Sequence, residues 1–174
     1  SLRAKADAIR TRLAKSINTK YQENPAYYEN FSKRIKEALE LYKARTITEA
    51  EYLAKMRDIL EDYRTGKSAI AYPDRIRANV HAQAFYGVLT AIFSNEKLSV
   101  EPDFAAEMAL DITTIIEKHS QVDWTHNLTI HDRISQDIDD LFYRYQKEMG
   151  LVLSFDVIDM IIENVKTVAL RRFA

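Results

Sequence analysis

Four histidines, His81, His119, His126 and His131, are the first candidates for chemistry in this chain. A helical metal pair needs two histidines four apart on one face, as in H-E-x-x-H. His126 and His131 are five apart, which turns them roughly 140° away from each other on a helix. With Asp123 and Asp132 nearby they could hold a surface cation, or they could line a solvated loop and helix start. Asp103, Glu107 and Asp111 share one helical face, as do Asp156, Asp159 and Glu163. Hard cations favour such carboxylates. Di-metal helical bundles add an inward Glu-x-x-His on paired helices, which this sequence lacks. The clusters therefore read as solvated faces or as docking sites for a basic partner. There is no cysteine, hence no thiol nucleophile, disulfide or Cys-bearing zinc site. No G-x-S-x-G is present, and three glycines build neither G-x-G nor G-x-x-x-x-G-K. The expectation is no catalytic, cofactor-binding or metal-ligating residue.

Residues suited to binding are more evident. Arg3, Lys5, Arg10, Arg12 and Lys15, followed by Lys20, face only Asp7 in the first twenty positions. Phosphate contact needs such charges and nothing more specific. The same residues equally suit the solubilising flank of an amphipathic helix, or contact with an acidic protein. Tyrosine occurs ten times. At helical spacing Tyr28, Tyr42 and Tyr63 read as core with hydroxyls at the rim. Tyr27, Tyr72, Tyr86 and the single tryptophan, Trp124, fall off the main stripes or near loops. These four are the candidates for a partner interface, and Trp124 could equally plug a loop.

The elements that must position these residues are helices. Apolar residues recur every three or four positions nearly throughout. Leu2, Ala6, Ile9, Leu13 and Ile17 form a first stripe. Asn24-Pro25 reads as a cap and first helical position opening a second helix through Tyr28, Phe31, Ile35, Leu39 and Tyr42. Thr48-Glu49-Ala50-Glu51 is a capping box for a third, and Gly66 sits where a C-terminal cap belongs. After the loop at 66–73, Pro73-Asp74 is expected to start a fourth helix running through Ile76 to Ile92. A fifth carries Phe104 to Ile115, and a polar linker surrounds Trp124. A sixth runs to Gly150, and a last one starts near Ser154. The expected fold is all-α: a single compact bundle of about seven helices over 1–174, with sequential neighbours mostly antiparallel. A division near 94–102 into two subdomains is the alternative.

The net charge of −1 hides an asymmetry. Residues 1–87 hold 17 Lys and Arg against 11 Asp and Glu, and residues 88–174 hold 8 against 15. Either two different surfaces or one half facing the other is implied, while the chain as a whole is not of the strongly basic, DNA-binding type. No apolar run approaches the ~18 residues of a membrane span. The charged N-terminus is no signal peptide. The missing initial Met leads us to expect a piece of a longer protein.

Residues 21–43 (YQENPAYYENFSKRIKEALELYK) resemble the C-terminal helical region of type I restriction enzyme R (HsdR, restriction/motor) subunits. Asn24, Pro25, Tyr27, Tyr28, Phe31, Ser32 and Ile35 stand in the places of that family's Asn-Pro, aromatic pair, Ser and long helix. The Thr48–Tyr63 helix and the Tyr72–Phe93 stretch continue the likeness. Val122-Asp123-Trp124, with the later Ile138-Asp139-Asp140-Leu141, is similar to its closing Asp-Trp and final helices. The resemblance covers most of residues 21–145. It implies a parent that is an ATP-dependent type I site-specific deoxyribonuclease of the bacterial cytoplasm, using ATP and Mg in other domains. It implies no cofactor in this stretch and a non-catalytic assembly role. The implied partners are the methyltransferase (modification) subunit and the parent's other domains, with DNA reached through the complex and no membrane. The alternatives are a helical module contacting the DNA backbone, or a regulatory nucleotide-binding domain near Gly66-Lys67-Ser68 and Pro73-Asp74.

Overall fold

A computed structural model describes all 174 residues, and its regular structure is entirely helical. Seven α-helices run in chain order: α1 (Leu2–Lys20), α2 (Pro25–Lys43), α3 (Glu49–Thr65), α4 (Val80–Asn95), α5 (Pro102–His119), α6 (Leu128–Met149) and α7 (Phe155–Arg172). Short 3₁₀ turns occupy Tyr21–Glu23, Asp74–Ile76 and Trp124–His126. The all-α expectation of about seven helices is borne out. The chain divides into two compact units, residues 1–21 with 25–71, and residues 22–24 with 72–174. Each has its own buried core. The connection at 94–102 joins two helices of one core, α4 and α5.

In the first unit the apolar stripes of α1, α2 and α3 meet one another. Ala6, Leu13 and Ile17 of α1 bury against Phe31, Ile35 and Ala38 of α2 and Tyr52, Leu53, Met56 and Ile59 of α3. Removing such side chains from water supplies most of the drive to fold, at roughly 25 cal/mol per Å² of apolar surface. The helix ends are set locally. The Glu51 amide donates to Thr48 Oγ1 at 3.1 Å while Glu51 Oε1 accepts from the Thr48 amide at 3.4 Å, completing the capping box. Gly66 takes φ +75°, the left-handed conformation that costs a glycine little, and terminates α3.

In the second unit four helices close a ring, α4 against α5, α5 against α6, α6 against α7, and α7 back against α4. α4 is the most enclosed. Ala82, Ala84, Phe85, Tyr86, Gly87, Val88, Leu89, Ile92 and Phe93 are all buried. Its small residues, with Ala105, Ala106 and Ala109 of α5, leave room for close approach of the two helices. The fourth helix starts later than expected. Pro73-Asp74 opens only the 3₁₀ turn, and Asn79 caps α4 by accepting the Ala82 amide at 3.0 Å. The Gln83 side-chain amide donates to the carbonyls of Ile76 and Arg77 at 3.0 and 2.8 Å. Two carbonyls that would continue a helix are thus satisfied from the side, and the chain turns there.

Candidate partner interface

The basic residues of α1 separate into two groups. Arg3 and Arg10 both pair with Asp7, at 3.6 and 3.4 Å. Asp7 is itself held by the Tyr52 hydroxyl, which donates to it at 3.0 Å. These two arginines flank the buried stripe and share one carboxylate. Lys5, Arg12 and Lys15 are exposed and enter no ion pair. Arg12 and Lys15 join Lys20 and Arg64 around a groove of about 520 Å³ whose floor includes Leu60 and Tyr63. The Tyr63 hydroxyl shares a 2.6 Å hydrogen bond with Ser16 there, which ties α3 to α1.

The four aromatic candidates divide as well. Tyr27 belongs to the first unit, half-buried, with its ring edge-on to Tyr28 and Phe31 at 5.1 and 5.2 Å. Burial, then the neighbouring Tyr63, raises the pKa of its hydroxyl. Tyr72 and Tyr86 lie together in the second unit, rings 6.0 Å apart. Tyr72 is half-buried, but Tyr86 is only 7% exposed. Trp124 is 3% exposed. Its indole N–H donates to the Phe173 carbonyl at 2.8 Å, and its ring meets that of His131. The two buried rings are taken up within their own unit and present no face to a partner. Trp124 is the plug that fastens the end of α7 to the turn before α6.

The histidines and carboxylates do not converge. No group of three histidine, aspartate or glutamate side chains is placed to hold a metal ion. His126 is exposed, while His131 donates its Nε2 proton to the Trp124 carbonyl at 3.1 Å. His119 meets Asp137 at 2.6 Å. Asp111 accepts from the Tyr145 hydroxyl and from Arg144. Burial above all, then that hydrogen bond to Asp111, pushes the Tyr145 hydroxyl pKa far up, so the group remains a donor. Gly66 and Lys67 follow the C-terminus of α3, and both their amides donate to the Asp62 carbonyl. Asp74 starts a three-residue turn. Neither place offers the free amides of a helix start that hold a phosphate.

Sequence reasoning overlooked an apolar surface on α6 and α7. Phe155 is 86% exposed, Val152 76%, Tyr143 66% and Met149 52%. Phe155 and Tyr143 line a shallow groove of about 220 Å³ with Ile158, Asp139 and Asp140. On the turn between the helices, Leu151 and Leu153 pack inward and Val152 points out. Phe155 is the first residue of α7, just after Ser154, whose hydroxyl accepts the Val157 amide at 3.2 Å, so the ring stands on a capped helix end. The available signal was that Tyr143 breaks the apolar spacing of α6.

Fold and surfaces together define an all-α chain of two helical units with a basic groove on the first and exposed aromatic rings on the second. The chain belongs to the family described as type I restriction enzyme HindI endonuclease subunit-like, C-terminal, which it matches over residues 3–169. The resemblance seen in the sequence is thereby borne out. The type I restriction enzyme HindI endonuclease subunit of Haemophilus influenzae is 25% identical over 127 residues. That match covers 73% of this chain but 12% of the relative, so the chain corresponds to a small part of that protein's length. No solved structure matches the chain. No helix is long and apolar enough to cross a membrane.

Proposed function

We propose that this chain is a non-catalytic assembly domain of the restriction/motor subunit of a type I, ATP-dependent restriction–modification enzyme. It docks the motor onto the methyltransferase core, so that DNA translocation and cleavage are coupled to the subunits that read the site. ATP and Mg are bound by other domains of the parent, which works in the bacterial cytoplasm. The observation that carries this reading is the groove lined by the exposed rings of Tyr143 and Phe155, with Met149 and Val152 also exposed on the segment between them. A water-facing surface of this kind marks a place where another molecule sits. Family membership supplies the setting. Deleting residues 1–174 from the full subunit is expected to abolish its co-purification with the modification subunit. A truncated subunit that still assembles with unchanged affinity would refute the docking role.

One observation favours a second reading, contact with the DNA backbone. Arg12, Lys15, Lys20 and Arg64 gather at one groove, where only Arg64 has a carboxylate partner, Glu61 at 3.7 Å. Sequence-independent phosphate binding needs no more than such a cluster.

A further inference from the structure

The apolar surface of α6 and α7 is rimmed by acid. Asp139 and Asp140 lie on α6 beside Tyr143, and Asp156 and Asp159 lie in the first turns of α7 beside Phe155. None of the four has an ion-pair partner, although nine salt bridges form elsewhere in the chain. Asp140 accepts one hydrogen bond, from the neutral Gln136 at 2.8 Å. Lys147, four residues beyond Tyr143 on α6, is exposed, and one lysine against these carboxylates leaves the rim net negative. Asp140 also shares a neighbouring groove with Lys118 and Arg144, while Asp139, Asp156 and Asp159 leave negative charge beside the exposed rings, which disfavours phosphate. Positive charge on a partner relieves the repulsion among these carboxylates, more strongly at low salt.

We infer that this surface is the docking site, and that its occupant is a protein segment bearing apolar side chains flanked by lysine or arginine. Phe155 and Tyr143 are the anchors. Rings of this size, held at the centre of a contact, contribute most of its binding energy. The carboxylates steer the approach and select against acidic or nucleic-acid partners. Neither DNA nor an anionic membrane suits a rim of this sign. The inference rests on the docking reading and names the surface and partner chemistry it leaves open.

The test uses the full subunit and the modification subunit, with affinity read by sedimentation at two salt concentrations. Tyr143→Ser with Phe155→Ser is expected to weaken assembly roughly tenfold or more. The melting temperature should hold, because both side chains are exposed. Replacing Asp139, Asp140, Asp156 and Asp159 with Asn is expected to weaken assembly and to flatten its salt dependence. Wild-type affinity in the Ser variant, where deletion of residues 1–174 abolishes assembly, would overturn this surface and leave the docking role standing. Assembly that survives the deletion would remove both. Self-association of the 174-residue chain that the Ser variant abolishes would make the occupant a second copy and overturn the inference.

Discussion

At the scale of single residues, His81 of the second unit is half-buried and held by an arginine. Arg172 Nε donates to His81 Nδ1 at 2.9 Å, and the same guanidinium donates to the Glu23 carbonyl at 2.7 Å. The ring also lies 4.3 Å from that of Phe173. Accepting from an arginine requires an unprotonated Nδ1. Burial first, then the Arg172 charge, lowers the His81 pKa below its ordinary 6.5, while Glu117 pulls weakly the other way. The folded chain thus binds this proton less tightly than the unfolded chain. The stability involved is present above pH 6.5 and is lost as pH falls below it toward the depressed folded value. Thermal melts at about pH 7 and about pH 5 should show a lower midpoint in acid. His81→Gln should shrink that difference, and an unchanged pH profile in the variant would exclude His81 as its source. Trp124 illustrates the same economy, with one indole N–H holding the end of α7 through the Phe173 carbonyl.

At the scale of elements, the helix ends carry most of the local information. Two helices stop on residues ill suited to the task. Arg45, after α2, has φ +58°, and Lys97, after α4, has φ +55°. In each case the next amide reaches back to close the cap, Thr46 to Leu41 at 2.9 Å and Leu98 to Phe93 at 2.8 Å. Glycine fills that role at Gly66 and Gly150. A side chain in the left-handed region costs about 1 kcal/mol relative to glycine. Arg45→Gly and Lys97→Gly should therefore each stabilise the chain by about 0.5–1 kcal/mol, read as a higher denaturation midpoint. Gly66→Ala should destabilise it by about 1 kcal/mol. A loss of stability in both glycine variants would show that the side chains there do more than occupy a turn.

At the scale of the whole molecule, charge follows the division into units. The first unit contains 15 Lys and Arg against 9 Asp and Glu, and the second 10 against 17. Only the first unit carries an excess of positive charge, and the Arg12, Lys15, Lys20 and Arg64 groove lies on it. If that groove contacts DNA, the 174-residue chain should retard duplex DNA at low salt and lose it steeply as salt rises. Arg12→Glu with Lys15→Glu should abolish the retardation, whereas Arg3 and Arg10, already paired with Asp7, should matter less. No retardation at low salt would leave the basic face as a solubilising surface.

Helix number, the Thr48 capping box, the Gly66 and Gly150 stops and the Ser154 start were legible in the sequence, because each depends on residues within a turn or two of one another. The family likeness was legible for the same reason, resting on short motifs such as Asn24-Pro25. Tertiary packing alone decided that Trp124 and Tyr86 turn inward, that Arg3 and Arg10 converge on Asp7, and that Phe155 and Tyr143 stand in water. Periodicity tells which side chains prefer burial. Whether a neighbour arrives to bury them depends on helices far away along the chain, and no local spacing encodes that.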